Sequence, residues 1–350
     1  METTNTQSIQ SDQITGTKPF KSSWIDYLVN RIENLPGPPW VFYLGVLLIT
    51  SLLNNVALWV EGALKPGEFD TLFSFAAIYN IYGIGAYHHL TRVAANSLHD
   101  LYPALDNTKR KENELAYRMT NLPAGWGWLA LIVGSTLGFF DAFGSQYDLS
   151  LSSKGIFIYF GFFEAFSYSS FIALMFLTAR QLLRVIKLHR QVHDIDLFNL
   201  ASLRAFSRLT ATASFAVFFL GALSALVYAE STDPSLLVFY SGIVILGILI
   251  FFMPLLSMRN RINKEKKQKL LETDQRTRHI LEEVKQSVQS GELSKMGELN
   301  TTLSVLEKEK SILKGISSYP WDPGTLKSFI STILLPLLLW LIRYLLEKWL

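Results

Sequence analysis

The sequence predicts an all-α fold: a polytopic α-helical membrane protein with about seven transmembrane helices and a cytoplasmic antiparallel helical hairpin of coiled-coil type. Three observations predict it. Of the 350 residues, 49% are hydrophobic and only 17% charged, which is too apolar for a soluble domain of this length. Six stretches are long and apolar enough to cross about 30 Å of hydrocarbon at 1.5 Å per residue. Finally, an apolar run that opens near Ser235 passes without a helix breaker into a long charged helical pattern that continues to Ile316.

Composition also excludes whole classes of function. With no cysteine, thiol catalysis, thiolate metal sites, iron-sulfur clusters and disulfides are out. A formal net charge of +3 implies no nucleic-acid partner, so the basic residues matter through where they sit. No phosphate-binding glycine loop, dinucleotide fingerprint, Gly-x-Ser-x-Gly, kinase or protease signature is found. The chain is therefore read as non-enzymatic, with no cofactor.

Residues 1–23 are polar, lack the apolar core of a removable signal peptide, and are read as a disordered tail. Residues 24–35 carry Ile25, Leu28, Ile32 and Leu35 at helical spacing opposite charged residues, the pattern of a helix lying on the membrane surface. Pro36-Gly37-Pro38-Pro39 ends it. A first span covers 40–60, with Trp40, Tyr43 and Trp59 as interfacial anchors and Asn54 and Asn55 inside. The second, 71–90, carries Asn80, Gly83 and Gly85 and closes on His88 and His89. A polar, helical connection over 91–123 holds Arg92, Lys109, Arg110, Lys111 and Arg118.

Spans three and four are expected at 126–143 and 155–177. The fourth overshoots the bilayer, because Arg180, Arg184, Lys187, His189 and Arg190 extend its pattern with no Gly or Pro to stop it. An amphipathic connection over 194–208 leads to span five at 209–228, and a tight turn leads to span six at 236–258. Residues 24–258 thus form a six-helix membrane domain.

The hairpin occupies 259–316. Leu270, Leu281, Val284 and Val288 make its first apolar stripe; Met296, Leu299, Leu303, Leu306 and Leu313 make the second at three-and-four spacing, interrupted by Lys310. Gln289-Ser290-Gly291-Glu292 marks the turn between them. Residues 317–350 are a linker and a C-terminal membrane helix. Phe329 to Ile342 is continuously apolar between Lys327 and Arg343, and Pro336 should kink it. A re-entrant helix competes with a full span, since Arg343 and Lys348 would lie outside.

Lys and Arg concentrate in the loops after spans two, four and six, which puts the amino terminus and the hairpin in the cytoplasm. A prokaryotic plasma (inner) membrane suits the absence of targeting signals.

Glu164 lies near the middle of span four, where a carboxylate is costly, so it is a candidate proton carrier or cation ligand; a protonated acid packing against a neighbouring helix is the competing role. Asp141, Asn54, Asn55 and Asn80 complete the transport-path candidates, the asparagines being better suited to bonding between helices. Gly134-x-x-x-Gly138 permits close helix approach, within the chain or between copies. His189 and His193, four apart with Asp194 and Asp196 beyond, have the spacing of a metal pair but no fixed third ligand. Arg259, Arg261, Lys264, Lys266 and Lys267 are candidates for anionic lipid headgroups, with ordinary positive-inside anchoring as the alternative. The expected partners are the lipid bilayer, those headgroups and a second copy of the chain through the hairpin or the Gly134/Gly138 face.

Two functions follow. The first is a cation or proton channel or transporter centred on Glu164, its outer mouth lined by Glu61, Glu68, Asp70, Asp141, Asp148, Glu230 and Asp233. The alternative is a scaffold or signal-transducing protein working through its hairpin.

Overall fold

The computed structural model describes residues 18–102, 105, 109–144, 154–191, 197, 200–227, 234–291, 293–321 and 324–331. Among them run α1 (Trp24–Glu33), α2 (Pro39–Glu61), α3 (Thr71–Leu101), α4 (Lys109–Thr120), α5 (Ala124–Gly144), α6 (Lys154–Gln191), α7 (Ala201–Val227), α8 (Pro234–Ser290) and α9 (Met296–Gly315). Residues 324–331 are helical as well, and no strand occurs among the described residues.

Among the described residues, four helices are long and apolar enough to cross a membrane: Pro39–Glu61, Ile158–Gln191, Arg204–Leu223 and Ser241–Ser290. These are compatible with a membrane location. The helices at the second and third expected spans, α3 and α5, are not among the four. α3 carries the polar Asn80 and His88, both buried, whereas α5 is as apolar on average as α2 and buries Gly134 and Gly138.

Packing explains how these two helices are held. Side chains built on Gly134 and Gly138 would come within 2.3 and 2.4 Å of the α6 backbone at Ser169 and Ala165. The Gly134–Gly138 face is thus filled within the chain by α6. Around α3 stand α6 and α7, and the core between them is closed by Tyr87, Leu90, Leu174, Leu177 and Phe206.

Two helices exceed the bilayer. At 1.5 Å per residue, the 38 residues of α6 measure about 57 Å and the 57 of α8 about 86 Å, against about 30 Å of hydrocarbon. α8 ends at Ser290, and Gly291 makes the turn in the left-handed region at φ 76°. α9 then runs back along α8. Lys310 pairs with Asp274 at 2.6 Å, Thr273 donates to Glu309 at 3.3 Å, and Lys266 donates to the Lys314 and Ile316 carbonyls that end α9.

Burial along these two helices departs from the expected stripes. Leu306 and Leu313 are buried as expected, but Leu281 and Val288 on α8 stay exposed. Thr273, outside the stripe, is 1% exposed because its hydroxyl bonds both the Lys269 carbonyl and Glu309. Lys310, the break in the α9 stripe, is the cation of the Asp274 pair.

Two further differences concern the ends. Residues 18–23, assigned by composition to a disordered tail, are held: Ser22 bridges Pro123, the Ala124 N–H donates to the Lys21 carbonyl, and Phe20 lies between Tyr117 and the Arg180 guanidinium. The linker after α9 docks on the apolar half of α8. Trp321 is buried against Phe251 and Phe252, and Phe329 stacks on Phe251 at 3.7 Å between centroids. Residues 332–350, with most of the expected seventh span, lie outside the described residues, as do 1–17, Asp148, Glu230 and Asp233.

Candidate functional site: a polar chain between α1, α2, α3 and α6

The site begins with the short helix α1. Ser23 and Asp26 form a capping box at its start, with the Ser23 N–H and hydroxyl both donating to the Asp26 carboxylate at 2.8 Å. Ile25, Val29 and Ile32 bury one side of the helix. Asp26 is buried too, and it also accepts from the Tyr87 hydroxyl at 2.5 Å and the Leu122 N–H at 3.1 Å. Burial pushes its pKa up, while these donors pull it back. A raised carboxyl pKa means that this attachment is strongest at low pH and weakens as pH rises through the raised value.

Asp26→Ala would strand the Tyr87 hydroxyl and the Leu122 N–H, at about 1–3 kcal/mol for each buried donor left unmet. The expected result is release of α1, read as faster proteolysis in the 34–38 segment with the membrane helices intact. An unchanged cleavage rate would mean that the apolar face alone holds α1.

Glu33 lies seven residues after Asp26 and so returns to the side of α1 that faces α3. Its Oε1 meets His88 Nε2 at 2.8 Å, and the other ring nitrogen, Nδ1, meets the Tyr43 hydroxyl of α2 at 2.9 Å. One proton assignment satisfies both contacts with a neutral ring: the Tyr43 O–H donates to Nδ1, and Nε2–H donates to Glu33. Arg92, one turn beyond His88, donates from Nε and Nη2 to the same oxygen at 3.3 Å. The His88 hydrogen bond, with Arg92 assisting, holds the Glu33 carboxyl below its ordinary pKa. A buried imidazole is thus tied between a carboxylate and a phenol.

Tyr43 faces a cavity of about 420 Å³ between α1, α2, α3 and α6. Its walls are chiefly apolar, with Leu53, Ile84 and Phe163 among them, and its polar groups are those of Tyr43, Thr50, Asn80 and Tyr159. Asn80 is 6% exposed, and its Nδ2 has no hydrogen-bond partner among the described residues. The Tyr159 hydroxyl leaves the cavity on the far side by donating to Asn54 Oδ1 at 2.8 Å.

Asn54 and Asn55 complete the chain. Asn54 Nδ2 donates to the Phe73 carbonyl, and Asn55 Nδ2 to Ser51 O and Ser74 Oγ. Asn55 Oδ1 accepts from the Asp70 N–H at 2.8 Å, next to the Asp70 side chain that caps α3. Polar groups therefore run from the α1–α3 contact past the cavity to the opposite end of the α2–α3 pair.

The other expected site residues fall elsewhere. Glu164 is half-buried on α6, one residue beyond Phe163, and is absent from the walls of this cavity. Asp141 accepts from the Tyr168 hydroxyl at 3.1 Å, joining α5 to α6. His189 is fully buried, edge-on to Phe206 at 5.5 Å, with neither ring nitrogen hydrogen-bonded among the described residues, and Arg261 donates to its backbone carbonyl. His193 lies outside the described residues, and among those described no cluster of three His, Asp or Glu is placed to hold a metal ion. Of the candidate headgroup cations, Arg259 sits over the Tyr319 ring at 4.8 Å, Arg261 binds α6 and Lys266 caps α9. Lys264 and Lys267 are exposed.

Glu33, Tyr43, His88 and Tyr159 were not singled out from sequence as a site. Their separations along the chain hide them, although the Asp26–Glu33 spacing on an otherwise apolar face was a signal in reach. Set against family models, curated proteins and solved structures, the chain matches none.

Proposed function

We propose that the protein is a membrane transporter or channel that moves protons along the α2–α3–α6 interface. The observation that carries this reading is the Glu33–His88–Tyr43 chain, which joins an ionised carboxylate to a cavity through an imidazole able to take a proton on one nitrogen and release one from the other. At about 30 Å³ per molecule the cavity has room for several waters, and Tyr43, Thr50, Asn80 and Tyr159 give them bonding partners. Asn54 and Asn55 continue the path to the side on which Glu61, Glu68 and Asp70 gather. In the full reading α3, α5 and the C-terminal helix also span, the amino terminus is cytoplasmic, and the membrane is the plasma membrane. Glu164 is a second protonatable group on the α5–α6 pair.

Flux in proteoliposomes tests the proposal, using a lumenal pH dye and a valinomycin-set potassium potential. Acidification faster than in protein-free vesicles is expected, and no difference between the two would sink the proposal. Glu164→Gln in the same assay assigns that residue: lost flux in a folded protein puts it on the path, and retained flux confines the path to the α2–α3–α6 chain.

The exposed Val288 on α8, with Val305 and Ile312 on α9, favours a second reading, in which the helical pair binds another copy or a partner. Because the chain has no cysteine, Val288→Cys gives a clean reporter. Rapid disulfide-linked dimerisation in membranes would support self-association, and a persistent monomer would count against it.

A further inference from the structure

A second cavity, of about 610 Å³, lies between α3, α7 and the helical residues 324–329. Neither the polar chain nor Glu164 reaches it. α3 contributes the face His89, Val93, Asn96, Ser97 and Asp100, and α7 the face Arg208, Ala211, Thr212, Phe215 and Phe218. The helices are antiparallel, because the Tyr82 hydroxyl early in α3 reaches the Ala216 carbonyl late in α7. The cavity is therefore graded along its length. Asp100 occupies one end, and Phe215, Phe218 and Phe329 the other; counted from the Tyr82–Ala216 contact, Arg208 lies between them, level with about Leu90 and about 15 Å along α3 from Asp100 at 1.5 Å per residue.

The two charges lie along one cavity without pairing. Side chains lean toward the start of their own helix, so Arg208 tilts toward Asp100 and Asp100 toward Arg208. Yet neither has an ion-pair partner among the described residues, which leaves space between a guanidinium and a carboxylate. Ser97, Thr212, Thr325 and Ser328 ring the middle with hydroxyls. Arg208 stands at the start of the apolar part of α7, where a bilayer would have its headgroup layer.

We infer that this cavity holds a phospholipid whose headgroup carries both a phosphate and a primary ammonium, as in phosphatidylethanolamine. Arg208 donates to the phosphate oxygens, and Asp100 accepts from the ammonium N–H groups, both being charge-assisted bonds. The glycerol esters lie among the hydroxyls, and an acyl chain follows Phe215, Phe218 and Phe329. Charge complementarity selects this headgroup. An anionic one would set its charge against Asp100, and a trimethylammonium has no N–H to give.

Native mass spectrometry of the full chain in detergent, with equal amounts of phosphatidylethanolamine, phosphatidylglycerol and phosphatidylcholine, tests the assignment. Retention of the ethanolamine lipid about tenfold over the other two is expected. Asp100→Asn should erase that preference, and Arg208→Gln should lower retention of every phospholipid. Both residues are exposed, so the fold should survive, and an unchanged melting temperature checks it. Equal retention of the three lipids, or wild-type preference in both variants, would overturn the assignment. Full displacement of the lipid by soluble phosphoethanolamine would overturn it too, since an acyl chain would then add nothing.

Discussion

Proton flux through His88→Gln is expected to fall by roughly a hundredfold, the scale on which positioned acid–base groups act. Glutamine fills the space and hydrogen-bonds on both sides, but it cannot take a proton on one nitrogen while releasing another. Tyr43→Phe removes the hydroxyl between the ring and the cavity, and should reduce flux while leaving Glu33 and His88 paired. Glu33→Gln keeps the acceptor oxygen and loses the proton acceptor, so it should resemble His88→Gln in flux. The three differ in what they leave behind, and the order of effects locates the step. If all three retain wild-type flux, the chain is structural and the path lies elsewhere.

The pH dependence follows from the depressed Glu33 pKa. Because the His88 hydrogen bond, with help from Arg92, keeps the carboxyl below its ordinary value of 4.5, the pairing is fully formed above that value. It is lost only as pH falls through the depressed one. Wild-type flux should therefore hold its relay down to mildly acidic pH. His88→Gln removes the largest cause of the depression, so the α1–α3 contact in that variant should loosen at a higher pH than in the wild type. Limited proteolysis after Glu33 as a function of pH reads this directly.

How far the sequence announced these features depends on the range of the interactions involved. Helices announce themselves locally. Periodicity located α1, the uninterrupted course of α8 and the turn at Gly291, because each rests on residues a few positions apart. Glu33 and His88 are separated by 55 residues, and Asp26 and Tyr87 by 61, so no local window contains both partners. The cations after residue 258 show the complementary limit. Their number and sign were plain, but Arg259, Arg261 and Lys266 meet a tyrosine ring and backbone carbonyls, which carry no charge to read. The spans α3 and α5 fall between these cases. In α3, Asn80 and His88 serve contacts with other helices; in α5, Gly134 and Gly138 do.

The demand of such contacts is sharpest at Gly138, where Gly138→Leu is expected to unfold the membrane domain or leave it unable to run as a single species on size exclusion. Even the first atom of a side chain there would lie 2.4 Å from the Ala165 backbone nitrogen and 2.6 Å from the Glu164 carbonyl carbon. A backbone cannot turn aside as a rotamer can, so α5 would have to leave α6 along its length. Overpacking in a close-packed interior costs about 1–3 kcal/mol where side chains can yield, and this contact should exceed that range. Gly134→Ala, at 2.3 Å from Ser169 Cα, should lower the melting temperature in the same direction. Gly85→Ala is the control. Nothing lies within 4 Å of its added atom, and alanine is the better helix former by up to about 1 kcal/mol, so the melting temperature should hold or rise. Separation of α5 from α6 would also break the Tyr168–Asp141 bond. Because the relay cavity is walled by Tyr159, Phe162, Phe163 and Phe166 of α6 and not by Ala165 or Ser169, a folded Gly134→Ala variant should keep part of its proton flux. Flux lost entirely at that position, with the fold retained, would tie transport to the α5–α6 pair and to Glu164 rather than to His88.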